Sequence, residues 1–170
     1  MAEIQYIFID GSCLNNGTKK SCGGYGVFFG DNDERNVSKH LIKNNIITKI
    51  TNNTAELMAC LEALTILENS QPSISPIKNI IVTDSRYLYQ SCIEWIPVWE
   101  KNNWKKSDGK IVDNLELIKC IREKHKKVKP LLKHVNSHQD EPSDKNSLEW
   151  KFWYGNMKAD LLATHASHNP

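Results

Sequence analysis

Two stretches of the chain end alike, Tyr6-Ile7-Phe8-Ile9-Asp10 and Ile80-Ile81-Val82-Thr83-Asp84. Each is an apolar run closed by an aspartate, and chemistry in open α/β sheets collects at the carboxyl ends of parallel strands. If the two strands are neighbours, their carboxylates face each other there. One such aspartate more often starts a turn or caps a helix, but the same ending on two strands favours a shared site. Glu56 extends the set: at about 100° per residue it borders the helical apolar stripe Leu57, Cys60, Leu61 and Leu64. Its ordinary role would be to complement a helix dipole. Asp160 is a fourth candidate, in the mostly apolar helical stretch Gly155-Asn156-Met157-Lys158-Ala159-Asp160-Leu161-Leu162, although alone it reads as a solvated surface charge.

Carboxylates gathered at one point repel unless cations sit between them. Hard divalent ions with oxygen ligands are the natural solution, Mg²⁺ first, and Mn²⁺ shares the ligand preference. Two such ions about 3.5–4 Å apart suit in-line displacement at a phosphodiester, one activating water and one stabilising the leaving oxygen. The acidic residues therefore point to a nucleotidyl hydrolase or transferase site.

The elements that must position them follow from the patterning. Residues 3–9 read as a strand stopped by Asp10-Gly11-Ser12, residues 23–30 as a second strand and residues 35–42 as a weaker third, an antiparallel meander. Asn52-Asn53-Thr54 supplies capping residues for a helix over about 55–68, ended by Pro72 and Pro76. Residues 79–84 form a short apolar strand of the buried parallel kind. A helix then starts near Ser85, Pro97 opens a second short one carrying Trp99, and Asp113 can cap a third. Pro130 precedes a strand over 131–135, and a last helix starts at about Asn146, where Asn146 and Glu149 resemble a capping box. The order βββ-α-β-ααα-β-α implies an α/β fold: a five-stranded mixed sheet, three antiparallel strands plus two parallel ones, with helices on both faces.

A chain of 170 residues, 25% charged and 39% hydrophobic, fits one globular domain spanning residues 1–170. No apolar run approaches 18 residues, and Met1 to Tyr6 carries no basic lead into an apolar core, so neither a membrane span nor a secretory signal is expected. The net charge of +2 is too mild to name a nucleic-acid partner by itself. Five scattered cysteines without a C-x-x-C pair fit reduced thiols in an intracellular protein of the cytoplasm or nucleus, with Cys60 and Cys92 in the core.

Ordered motifs over about 150 residues, close to the length of one domain, make the chain resemble the type 1 ribonuclease H family. They are Asp10-Gly11-Ser12-Cys13 with Gly23-Gly24-Tyr25-Gly26, Thr51-Asn52-Asn53-Thr54-Ala55-Glu56-Leu57, Thr83-Asp84-Ser85-Arg86-Tyr87, Trp95-Ile96-Pro97-Val98-Trp99, Trp104-Lys105, Asp113-Asn114, Val135-Asn136-Ser137-His138 and Gly155-Asn156-Met157-Lys158-Ala159-Asp160. The resemblance implies endonucleolytic cleavage of the RNA strand of an RNA–DNA hybrid by two metal ions, leaving 5′-phosphate and 3′-hydroxyl ends. It places the metal-binding carboxylates on Asp10, Glu56, Asp84 and Asp160, and a secondary role in proton transfer or product release on His138, whose side chain titrates near neutrality.

The same resemblance assigns the strands of the hybrid. Asn16, Asn52 and Asn53, with the backbone around Cys13, are placed to read the RNA 2′-hydroxyl, which donates and accepts. Tyr87, Trp95 and Trp99 match the family's deoxyribose contacts, and Thr51, Asn114 and Lys49 its DNA phosphate pocket. Lysine at the last position offers a point charge where the family often has an arginine fork. Lys101, Trp104, Lys105, Lys106 and Lys110 resemble the basic protrusion, diluted by Glu100 and Asn102, whereas Lys124, Lys126, Lys127 and Lys129 suit a solvated helix end. With no hybrid-binding module preceding Asp10, low processivity is expected, and the family implies a monomer.

Two departures stand out. The loop 17–22 is longer than the family pattern, and residues 139–154 add Asp140, Glu141, Asp144 and the aromatics Trp150, Phe152, Trp153 and Tyr154 where the family loop is short. The aromatics are expected to pack this extension on the body, leaving a mobile acidic loop over the site. Two further readings stay open, a nuclease of the same fold acting on another duplex or junction, and a nucleic-acid-binding module without catalysis.

Overall fold

The computed structural model describes residues 2–70 and 75–170; Met1 and Pro72 lie outside them. Three strands come first, β1 (Glu3–Leu14), β2 (Cys22–Phe28) and β3 (Val37–His40), then α1 (Asn52–Asn69) and β4 (Ile77–Thr83). After these come α2 (Arg86–Gln90), α3 (Ile96–Lys101), α4 (Leu115–Val128), β5 (Leu131–His134) and α5 (Leu148–His168), with one π-helical turn, Ser91–Trp95, joining α2 to α3. The sheet order is β3-β2-β1-β4-β5, with β1–β2 and β2–β3 antiparallel and β1–β4 and β4–β5 parallel. This is the five-stranded mixed sheet that the patterning implies.

Side-chain alternation along β1 sorts its residues onto two faces. Ile7 and Ile9 belong to the larger core, with Val27, Ile81, Leu57 and Leu64 of α1, and Leu117, Ile118 and Ile121 of α4. Phe8 turns the other way, packing with Phe28, Val82 and Ala159 of α5. Cys60 and Cys92 are buried in the first core, as expected of small apolar residues.

Several boundaries differ from the sequence expectation, each for a local reason. The strand β1 does not stop at Asp10, because residues 8–14 pair with 28–22 of β2. What ends there is the parallel ladder with β4, whose last pair is Ile9 with Thr83. Thr51, not Asn52 or Asn53, caps α1, its hydroxyl accepting from the Thr54 amide at 3.1 Å while the Thr54 hydroxyl accepts from the Thr51 amide at 2.7 Å. At α4 the cap position falls on Asn114, in the left-handed region at φ 56°, and Asp113 pairs instead with Lys106 at 2.8 Å. Ser147, not Asn146, caps α5 by accepting from the Trp150 amide at 3.0 Å.

Glycine controls how closely the helices sit on the sheet. A Cβ on Gly26 would lie 2.6 Å from the Ala159 carbonyl oxygen and 2.7 Å from the Leu162 Cβ, and one on Gly24 would meet the Ser167 amide. Both residues let α5 lie directly on β2.

Candidate active site

The pleat that buries Phe8 and Val82 under α5 sends Asp10 and Asp84 to the same face, two residues further along adjacent parallel strands. Because the parallel ladder between β1 and β4 ends at Ile9–Thr83, both carboxylates emerge where those two strands stop pairing with each other. Glu56 arrives from the second turn of α1, which can approach because residue 11 is glycine: a Cβ there would collide with the Glu56 amide and lie 2.9 Å from the Ala55 Cβ. Carboxylate oxygens of Asp10, Glu56 and Asp84 all lie within 4.8 Å of one another. Asp160, projecting from α5, stands outside this group of three. It lines the same cleft as Asp84, however, and its charge acts on Asp10.

The three carboxylates are held as a set that lacks positive charge. Asp10 is only 5% exposed, and its Oδ1 accepts from the Gly11 amide at 2.9 Å. Burial, then the neighbouring Asp84 charge, pushes its pKa up to about 8. Glu56 is driven well above its ordinary value by burial and then by Asp10. Although Glu56 as a residue is half-buried, its Oε2 is sealed from solvent and accepts no hydrogen bond. Among the described residues, no lysine or arginine pairs with any of the four acids. An orphaned carboxylate oxygen between two crowded acids, with oxygen donors only, fits a hard divalent cation.

That electrostatic arrangement has a consequence for the metal-free protein. A carboxyl whose folded pKa lies above its unfolded value of 3.8 contributes stability that is present below that value and lost as pH rises through about 8. Without metal, the wild type should therefore lose stability relative to Asp10→Asn between about pH 5 and pH 9, by about 2 kcal/mol or roughly 4–8 °C in Tm. Calorimetric melts of both proteins across that range check it, and millimolar Mg²⁺ should close the gap.

Two side chains support Asp84. Asn156, buried on α5, donates from Nδ2 to Asp84 Oδ2 at 3.1 Å, leaving its own Oδ1 unpartnered, and the His134 ring lies 3.2 Å from the Asp84 carbonyl oxygen. Asn156 was not among the candidates, although a buried amide one helical turn before Asp160 is a readable signal. A cleft of about 880 Å³ opens beside these groups, bounded by Asp84, Asn156, Asp160, His138 and residues 139–142. His138 is exposed and in the left-handed region, φ 52°.

The remaining candidates fall into two groups. Cys13 is half-buried, with its thiol pushed up chiefly by burial; nearby, Asn16 Oδ1 accepts from the Asn52 amide at 3.0 Å, and Asn53 is exposed on the same helix end. On the other side, Tyr87, Trp95 and Trp99 form a chain of rings with centroids 6.2 and 5.8 Å apart. Tyr87 and Trp99 also pack on the core. The Asn114 side chain meets the Tyr87 hydroxyl, and the exposed Lys49 gives its carbonyl to Thr54 Oγ1 at 2.9 Å beside Thr51. Trp104 lies under the Lys119 ammonium, 5.9 Å from ring centroid to nitrogen. Lys124 and Lys127 pair with Glu68, and Lys126 with Glu100 at 3.0 Å, so these three lysines at the end of α4 are ion-paired rather than left to solvent as the sequence implies.

Comparison with known proteins agrees with this geometry. The family profile described as RNase H matches residues 2–168. Ribonuclease H of Schizosaccharomyces pombe is 36% identical over 162 residues, which cover 95% of this chain and 52% of that protein, so the chain spans about half the length of that relative. Ribonuclease H of Vibrio vulnificus strain YJ016 is 32% identical over 170 residues, covering 96% of this chain and 89% of that protein. Among solved structures, the foamy viral protease-reverse transcriptase in complex with an RNA/DNA hybrid superposes with a TM-score of 0.71 at 22% identity, over 98% of this chain and 20% of that one.

Proposed function

The chain belongs to the ribonuclease H family, and from that membership we propose that it is an endonuclease hydrolysing the RNA strand of RNA–DNA hybrids, leaving 5′-phosphate and 3′-hydroxyl ends. The observation that carries this reading is the meeting of Asp10, Glu56 and Asp84. Those three, with Asp160 from α5, would hold a pair of divalent cations. Bound there, the cations supply activation of water and neutralisation of charge at the scissile phosphate. Mg²⁺ is the ion we assign, with Mn²⁺ able to substitute on the same oxygen ligands.

The chain's own residues do the rest. Asn16, Asn52, Asn53 and the backbone near Cys13 present donors and acceptors to the 2′-hydroxyls of the RNA strand. Tyr87, Trp95 and Trp99 offer flat apolar faces to the deoxyriboses, while Thr51, Asn114 and Lys49 receive a DNA phosphate. His138, at the rim of the cleft, moves a proton at the leaving side or helps product depart. A monomer is the assembly we assign, as expected of the family. Five free thiols support a reducing compartment such as the cytoplasm or nucleus.

A hybrid, an RNA duplex and a DNA duplex of one sequence, each with and without Mg²⁺, test the proposal. Cleavage should be confined to the RNA of the hybrid and should vanish with EDTA. Cutting of the DNA duplex would move the chain to another nuclease class, and binding without cutting would make it a recognition module.

A further inference from the structure

The loop between β5 and α5 departs most from the family pattern, and its first residues wall the cleft beside Asp84 and Asp160. Its attachment is sparse. After Val135, whose amide donates to the Thr83 carbonyl at 3.0 Å, residues 136–143 make no backbone-to-backbone hydrogen bond among the described residues. Two indoles bridge the gap instead. Trp153 Nε1 donates to the Gln139 carbonyl at 3.0 Å, and Trp150 Nε1 to Glu141 Oε1 at 2.9 Å.

The tryptophans sit three residues apart, on one face of α5, with ring centroids 6.1 Å apart. The helix that carries them is firmly seated: Phe152 meets Tyr6 edge-on at 5.2 Å, and Tyr154 stacks on Trp150 at 4.8 Å while its hydroxyl donates to Asp31. The loop expected to be mobile is thus tied at two points to a rigid element.

One of these ties falls on the carbonyl of Gln139, the residue directly after His138. That residue holds a left-handed conformation that a histidine adopts only at some cost. Gln139 closes the same turn, its Nε2 donating to the Ser137 carbonyl at 3.0 Å. A turn of this kind persists only where its surroundings fix it.

We propose that Trp153 is a positioning residue for His138: its indole N–H, anchored on α5, holds the Gln139 carbonyl and so keeps His138 at the rim of the carboxylate cleft. Trp150 secures the following residues in the same way. The inference rests on the role given to His138 above, and the sequence extension then has a purpose, to replace mobility of the histidine loop with a fixed placement.

Trp153→Phe keeps the ring and removes the donor. With saturating hybrid and Mg²⁺ it should lower kcat about fivefold, with KM within twofold and Tm within roughly 2 °C, because only the reacting step needs the histidine in place. In a His138→Ala background the same substitution should change kcat by less than about 1.5-fold, since the effect passes through that side chain. Equal losses in both backgrounds would overturn the proposal. Backbone ¹⁵N relaxation separates its two halves: order parameters of residues 137–141 should fall from about 0.85 to below about 0.6 in Trp153→Phe. Unchanged order parameters sink the anchoring itself, whereas lowered ones together with full kcat in His138→Ala sink the reading of His138 and, with it, the catalytic purpose of the anchor.

Discussion

Asp10→Asn is expected to reduce Mg²⁺-dependent cleavage of a hybrid by at least about a thousandfold. The substitution keeps the shape of the side chain and removes the charge at the centre of the group. Glu56 Oε2, which no protein donor reaches, would then face an amide in place of the carboxylate that shares its cation. Loss of activity would come without loss of fold, because the buried charge works against stability in the metal-free state. Initial rates at several Mg²⁺ concentrations, with melting of the same preparations, settle both points. Residual activity within tenfold of wild type would remove Asp10 from the metal site. Asp160→Asn should cost less, about tenfold, since Asp160 stands outside the three-oxygen group.

Gly26→Ala should lower the melting temperature by roughly 6–12 °C, from a cost of about 3 kcal/mol. The added Cβ meets the backbone and the Leu162 Cβ of α5, and a helix backbone cannot turn aside as a flexible side chain can. The helix must lift from β2, and it carries Asn156 and Asp160 with it. Cleavage should therefore fall about tenfold even at a temperature where the protein is folded, since an ångström of displacement at a reacting site is costly. Gly30→Ala is the control: its Cβ would meet nothing within 4 Å, so its melt should stay within about 0.5 kcal/mol of wild type. Equal melts for the two variants would show that the close seating of α5 is not needed.

Much of the site was legible because its signals are local. An apolar run ending in aspartate, twice, and a glutamate at the edge of a helical stripe led to Asp10, Asp84 and Glu56; the pleat and the close approach of α1 over Gly11 bring them to one point. Helix starts were harder. Around residues 51–54, 113–114 and 146–147, neighbouring side chains are all able to cap, and only backbone angles select Thr51, Asn114 and Ser147. The apparent end of β1 at Asp10 misled because the pairing that continues it comes from β2, beyond a loop.

Residue types and their periods, on their own, determined the element order, the mixed sheet and the acids that serve it, since burial and strand or helix geometry are written in short-range patterns. Tertiary packing alone decided that Asp160 stands apart from the other three acids, that Asn156 supports Asp84, and that two indoles hold the loop after His138. Such placements depend on how α5 lies against β1, β2 and β4, contacts between segments at least 65 residues apart that no local periodicity encodes.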